Sequence, residues 1–345
     1  MHASDSRPPT SHPAEAAGSA PVRGIPRPWA LRTALLLVMF GAALNIQFLF
    51  NNCPIDLSED EAHYWEWARH LDWGYYSKGP GIAWIMSGWM HVVHWLGVSH
   101  ITMPVLRMPA VLFSVITGLV SLDLARRLFR DDRAALMVTV LSAAVPMFVV
   151  GALLLTIDSP MYMCWAIATY ALWRRIDTGT PAGAELQPAR LGGGAGWLYL
   201  CGMVAGLGAL AKPITLLIPL CALLAMVFDR SIRRALASWH GLMAVVLMLA
   251  LQAPVIAWNA GHNWVMFHHM GTQGGLEGGS HGTPLDALSR LGEYVGGQAG
   301  GLAGILFVLL IVAVALAVMA VRRAHQAERT NAGSVARPFH ASASG

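Results

Sequence analysis

The chain has 345 residues, of which 55% are hydrophobic and 12% charged, with a net charge of +4. A soluble domain carries roughly 25% charged residues, so this composition excludes an ordinary water-soluble fold and points to lipid as the solvent. The positive charge is scattered between apolar runs instead of gathered on one face, which marks membrane orientation and argues against nucleic acid as a partner.

Residues 1–28, rich in Pro, Ala, Ser and Gly, read as a disordered cytoplasmic tail. The first apolar run, Leu31 to Phe50, is too long for a signal-peptide core and lacks a small-residue cleavage site, so it reads as a retained anchor. A spanning helix needs about 20 apolar residues. Runs at 31–50, 104–125, 134–155, 159–174, 196–212, 213–228, 239–258 and 301–321 meet or approach that length, and 80–98 is a further candidate. Arginines cluster at 23–32, 126–133, 174–190, 230–234 and 322–329. If 80–98 crosses the bilayer, the 126–133 cluster lies opposite the N-terminal tail; if it stays in the interface, all five clusters share the cytoplasmic side. Trp84, Trp89, His91, His94 and Trp95 suit the interface. The expectation is an all-α integral membrane protein: a polytopic helical bundle of about eight spans over 29–321, interfacial helices in its first outer segment, and a disordered cytoplasmic tail at 322–345.

This topology leaves 51–103, a turn near 156–159, the Lys212–Pro213 junction and 259–300 on the outer face. The last of these is Gly- and His-rich and predicts one short amphipathic helix near 284–295. Only two of the 23 basic residues are lysines, and both, Lys78 and Lys212, fall outside, where the positive-inside rule gives no reason for them. The four cysteines form no disulfide framework; Cys164, Cys201 and Cys221 lie in apolar runs, and Cys53 faces the loop side.

Asp56 to Pro80 is the densest polar and aromatic stretch. Ser58 and Glu61 have capping-box spacing, acids in the first turn suit the helix dipole, and Tyr64, Trp65 and Trp67 read as an interfacial aromatic belt. The functional alternative is a carboxylate acting as general base on an acceptor hydroxyl, with the aromatics as a stacking platform for a sugar. Arg107, a few residues into an apolar run, either snorkels to headgroups or neutralises an anion or Asp158. Asp158 before Ser159 and Pro160 fits a helix start, and Lys212 fits a turn. Taken together, Asp60, Glu61, Lys78, Arg107, Asp158 and Lys212 converge on one face. Carboxylates beside cations suit transfer from an anionic lipid phosphate, in which cations hold the leaving phosphate and a carboxylate takes the acceptor proton.

Other signals are weak. His262, His268, His269 and His281 share one outer segment, but no paired Cys or Glu spacing supports a metal, and none is expected there. Walker, Gly-x-Ser-x-Gly and dinucleotide motifs are absent, and the glycines of Gly202–Gly208 suit close helix packing.

The run Asp60-Glu61-Ala62-His63-Tyr64-Trp65-Glu66-Trp67, followed by Leu71 to Trp84, resembles the bacterial branch of the dolichyl-phosphate-mannose–protein mannosyltransferase family, glycosyltransferase family 39. The lipid A aminoarabinose transferases belong to the same GT-C group. Further matches follow in order at Leu106–Pro109, Leu154–Pro160, Gly206–Lys212, Pro254–Asn259 and Tyr294–Gln298, so the resemblance covers about 30–320. It implies a GT-C-like membrane domain that uses a polyprenyl-phosphate sugar donor on the extracytoplasmic face of a bacterial inner membrane, by an inverting displacement. The acceptor class, whether protein, lipid A or another glycan, stays open. By that match Asp60 is the base and Glu61 supports acceptor or metal. Lys78, Arg107 and Lys212 hold the lipid phosphate, and Asp158 completes the site from the second outer loop. Tyr64, Trp65, Tyr75, Tyr76, Trp258 and Asn259 form the sugar or acceptor platform. A divalent cation as cofactor is left open.

Two departures stand out. Ser77-Lys78-Gly79-Pro80 replaces the His-Pro-Pro or Asp-His-Pro of many relatives, and its lysine is similar to the aminoarabinose branch. Relatives are also usually longer, which leaves a short member, a truncated one and a chain acting as an inactive subunit as alternatives. A transporter or flippase for an anionic lipid needs a polar path to the cytoplasm, against which the apolar inner halves of the runs argue.

Overall fold

The structure is a computed structural model; it describes residues 27–51, 53–177, 194–273, 284–301 and scattered positions from 304 to 319. Residues 1–26 and 322–345 of the two expected tails, the arginine cluster at 174–190 beyond Asp177, His281 and part of the run 301–321 lie outside the described residues. Helices α1 (Pro28–Asn51), α2 (Glu59–Arg69), α3 (Gly81–Trp95), α4 (Met103–Leu128), α5 (Asp132–Ala144), α6 (Pro146–Gly151) and α7 (Asp158–Asp177) form the first half. Then follow α8 (Ala195–Ala211), a 3₁₀ turn at Pro213–Leu216, α9 (Leu217–Phe228), α10 (Arg230–Leu236), α11 (Trp239–Ala250), α12 (Ala253–Gly261), α13 (Val265–Gln273) and α14 (Pro284–Gly301). Among the described residues there is no strand.

Two helix groups make the bundle. Helix α1 packs with α4 and α5 around Ala34, Leu122 and Ala135, and α8 packs between α7 and α11 around Cys164, Ala205 and Met248. Contact between α4 and α7 joins the groups, while α2 and α3 pair with each other and cover one end of the bundle. Small residues allow the closest approach: a Cβ at Gly202 would strike the Ala244 carbonyl, so α8 and α11 meet nearly backbone to backbone.

Among the described residues, three helical stretches are long and apolar enough to cross a membrane: Pro28–Asn51, Met103–Leu128 and Trp239–Gly261, which runs through α11 and α12. Ala195–Ala211 and Pro213–Phe228 are apolar but shorter. The expected run 134–155 is instead two helices, because Val145 takes an extended conformation (φ −87°, ψ 114°) before Pro146. Helix α3 has 15 residues, about 22 Å of helix against about 30 Å of hydrocarbon, which suits the interfacial placement of 80–98. The amphipathic segment expected near 284–295 is α14, longer than its pattern suggested.

The bundle has two chemically different ends. At one, the Arg27 backbone N–H donates to Asp132 (2.7 Å), and Arg126 and Arg127 pair with Asp123, which also accepts the Tyr170 hydroxyl at 2.8 Å. Arg174 lies over the Trp197 ring there, 4.9 Å from its centroid. The ends of α4 and α7 on this side are therefore polar, where the sequence reading expected apolar inner halves throughout. At the other end gather the residues considered for chemistry.

Candidate active site

Glu61 and Arg107 form the buried centre of that end, with side chains 0% and 1% exposed. The Ser58 hydroxyl accepts the Glu61 N–H, and the Glu61 carboxylate accepts the Ser58 N–H at 3.1 Å, which completes the capping box. The same carboxylate takes Arg107 Nε at 2.9 Å, Arg107 Nη2 at 2.7 Å and the Leu155 N–H at 3.0 Å. Burial alone would raise the Glu61 acidity constant, but the Arg107 guanidinium and the Leu155 and Ser58 N–H groups together hold it below the ordinary carboxylate value.

Arg107 also donates to the carbonyls of Ile55 (2.9 Å) and Asp56 (2.8 Å) and to Cys53 Sγ. All five N–H donors of a guanidinium are thus engaged. Of the partners the sequence left open for Arg107, the structure shows neither Asp158 nor lipid headgroups but Glu61, with every guanidinium donor engaged within the protein in this conformation. Glu61 likewise has no free oxygen aimed at an acceptor or metal. The pair ties the segment after α1, the start of α2, α4 and the chain before α7 into one frame.

Asp60, the neighbour of Glu61, is exposed. One helical turn on, Tyr64 is fully buried, and its hydroxyl has no hydrogen-bond partner of normal geometry. Burial, then the Asp60 and Asp158 carboxylates, push its acidity constant well above the ordinary tyrosine value. Asp158 opens α7, and its Oδ1 accepts Lys212 Nζ at 2.6 Å, with both side chains about one-third exposed (31% and 35%). Asp158 therefore faces a cation across the site as well as starting a helix.

Lys78 comes to the same place through glycine. A Cβ on Gly79 would strike the Leu210 carbonyl, and one on Gly81 would sit 2.6 Å from the Ala211 nitrogen. The Lys78–Gly81 turn lies directly on the C-terminal end of α8, beside Lys212. Among the described residues the Lys78 side chain makes no hydrogen bond or ion pair, whereas Lys212 and Arg107 are both paired. Asp60, Lys78, Asp158 and Lys212 thus lie at the same end of the bundle, part-buried or exposed, with the Glu61–Arg107 pair buried among the segments that carry them.

The expected platform separates. Tyr75 is 8% exposed, stacks on Trp67 (centroids 4.5 Å, planes 5° apart), donates towards the Trp67 and His70 carbonyls and accepts the Asp72 N–H. Burial first, then the Asp72 charge, raise its acidity constant against the lowering effect of the Asp72 N–H. Asn259 is buried, with its Nδ2 on the Val255 carbonyl at 2.9 Å. Trp258 lies between Gly74 on one face and His262 on the other, 4.0 Å between ring centroids, and its indole N–H donates to Asp72 at 2.8 Å. Tyr64, Tyr75 and Asn259 are all buried in the packing around α2, α3 and α12. Trp65 is half-buried against the cluster of Tyr64, Ile82, Leu106 and Leu155, and Tyr76 is 56% exposed beside His269. The residue that sequence reasoning missed is Asp72, which also accepts the Trp84 indole on its backbone carbonyl at 3.0 Å. No local spacing marks it, since its partner Trp258 is 186 residues away.

A membrane bundle with its carboxylates and lysines gathered at one end has the fold of a known class. The chain is similar to the crystal structure of ArnT from Cupriavidus metallidurans in the apo state, with TM-score 0.50 and 18% identity over 80% of this chain and 49% of that one. Against the same protein bound to undecaprenyl phosphate the TM-score is 0.51, with 20% identity over 83% and 50% of the two chains. A stretch of 51 residues is 45% identical to the lipid A galacturonosyltransferase RgtD of Rhizobium johnstonii, covering 15% of this chain and 11% of RgtD. The chain spans about half the length of the solved relatives. Residues 77–258, more than half of the sequence, match the dolichyl-phosphate-mannose-protein mannosyltransferase family, and the chain belongs to that family.

Proposed function

We propose that this chain is a membrane glycosyltransferase that moves a sugar from a polyprenyl-phosphate donor to an acceptor hydroxyl, at the non-cytoplasmic membrane surface, with inversion. The observation that carries this reading is the set of Asp60, Lys78 and the Asp158–Lys212 pair at one end of an apolar bundle. A lipid phosphate sits at that depth, where its tail stays in hydrocarbon and its anion meets two lysines. ArnT, of the same fold, has been solved with undecaprenyl phosphate, which supports the donor class. The lipid A acceptor in the name of RgtD makes lipid A one acceptor class to test, beside protein and other glycans.

In the reaction, Asp60 takes the proton of the acceptor hydroxyl while its oxygen attacks the anomeric carbon. The bond from that carbon to the phosphate oxygen breaks, and the electron pair leaves on the polyprenyl phosphate. Lys78 is free to bind this phosphate at once, and Lys212 joins by exchanging Asp158 for it. Developing charge on the leaving oxygen is then met by two preplaced cations. Glu61 and Arg107 act by holding α2 so that Asp60 points outward, and neither touches substrate. If a divalent cation takes part, Asp60 and Asp158 are the carboxylates open to it.

The test is transfer from an undecaprenyl-phosphate sugar in membranes containing the chain, with envelope glycans and lipids read by mass spectrometry. Asp60→Asn keeps the side-chain shape and removes the base, and is expected to lower transfer by at least about 100-fold, the lower end for a general base. Wild-type transfer by a properly inserted Asp60→Asn protein would remove Asp60 from this role.

A further inference from the structure

The arginine-bearing end of the bundle holds a second feature, a cavity of about 640 Å³ between α8, α9 and α11, distant in sequence from Asp60 and Lys78. Its walls are almost wholly apolar, among them Leu198, Ala205, Ile218, Ala222, Met226 and Met248. From Met226 to Ile218 along α9 the lining runs about 12 Å at 1.5 Å per residue, enough for much of an acyl chain. Such a cavity in a membrane protein does not stay empty beside fluid lipid, because its lining would forgo dispersion contacts on one side.

Its mouth is chemically different. Ala237, Ser238 and Trp239 rim it, and α10 lies directly before them. Helix α10 carries Arg230, Arg233 and Arg234 within seven residues, all exposed. The nearby Asp229 does not neutralise them by pairing: its carboxylate caps α10 through the Ser231 and Ile232 N–H groups. Arg233 reaches only the Met226 carbonyl, at 3.4 Å, and no ion pair involves any of the three among the described residues. Trp239, 67% exposed, stands where an indole favours the headgroup level. An apolar slot long enough for much of an acyl chain, beside a helix whose guanidinium groups make no ion pair and one of which reaches the Met226 carbonyl of its lining, matches one ligand shape: an anion joined to a long alkyl tail.

We propose that this cavity is a binding site for an anionic glycerophospholipid, with an acyl chain between α8, α9 and α11 and its phosphate at Arg230, Arg233 and Arg234. The charge of α10 selects against zwitterionic lipid, and the cavity selects against headgroup-only binding. The site stands apart from the sugar-transfer reading and does not depend on it.

The test is native mass spectrometry of the purified full chain exposed to equal amounts of phosphatidylglycerol, phosphatidylcholine and undecaprenyl phosphate. Phosphatidylglycerol is expected to be retained about tenfold over phosphatidylcholine. Arg233→Ala with Arg234→Ala is expected to abolish that preference, and Ala222→Phe, which fills the cavity and leaves the arginines, is expected to reduce retention as much. Circular dichroism of both variants confirms that the helices form. Equal retention of the two phospholipids, or unchanged retention by a folded Ala222→Phe protein, would overturn the proposal. Preferential retention of undecaprenyl phosphate would also overturn it, and would assign the cavity to a polyprenyl lipid.

Discussion

Two adjacent carboxylates, Asp60 and Glu61, differ in environment more than in chemistry. Helical geometry turns successive side chains by about 100°, so one is exposed and the other faces Arg107. Glu61 has an acidity constant below the ordinary value of 4.5, so the ionised form stabilises the fold. That contribution is complete above the unfolded-state value and is lost as pH falls through the lower folded-state value. Glu61→Gln removes the charge and strands a buried guanidinium, at a cost of about 3–5 kcal/mol. Thermal unfolding in detergent at neutral pH should show this loss, and the variant should lack the wild-type decline in stability over that acid window. A variant as stable as wild type would mean that Arg107 finds another partner. The capping box was legible from Ser58 and Glu61 alone, since both partners lie in one turn. The ion pair was not, because Arg107 is 46 residues further on and an apolar helix gives no sign of which anion meets its charge.

At the scale of elements, hydropathy located α1, α4, α8 and α11 and the break at Lys212–Pro213, but missed the break inside 134–155. Pro146 begins a new helical piece there, so proline overrides the apolar count where its ring and missing N–H forbid continuation. The most consequential contact between elements is the turn at Lys78–Gly81 against the end of α8. Gly81→Ala puts a methyl 2.6 Å from the Ala211 nitrogen, and backbone on both sides must move to admit it. Such overpacking costs typically about 1–3 kcal/mol and separates Lys78 from Lys212. Donor KM is expected to rise about tenfold in this variant. Gly88→Ala, on the same α3 but facing open space, should leave donor KM unchanged and favour the helix by about 0.5–1 kcal/mol. Equal behaviour of the two variants would mean that the approach of α3 to α8 does not set the phosphate site. The sequence contained these glycines but not their neighbour, since Leu210 and Ala211 lie far along the chain.

For the whole molecule, the arginine pattern and the packing make independent statements about orientation. Arg27, Arg126, Arg127 and Arg174 meet at one end of the bundle through Asp132, Asp123, Tyr170 and Trp197. Glu61, Arg107, Asp158 and Lys212 meet at the other. Positive-inside bias acts during insertion on exposed loops, whereas these contacts form when the helices pack, so their agreement is not built in. Together they favour an arginine end in the cytoplasm and a site outside, with α3 in the interface. Single cysteines at Tyr76 and Arg130, in a chain whose own four cysteines are replaced, discriminate the topologies by labelling with a membrane-impermeant maleimide. Tyr76 is 56% exposed at the site end, and Arg130 lies in the turn between α4 and α5. Labelling from outside is expected at position 76 alone, with position 130 reacting only after the membrane is opened. If both react in intact cells, the interfacial placement of α3 fails. If position 130 reacts and position 76 does not, the assignment of the two ends is reversed, and a periplasmic sugar transfer at Asp60 fails with it.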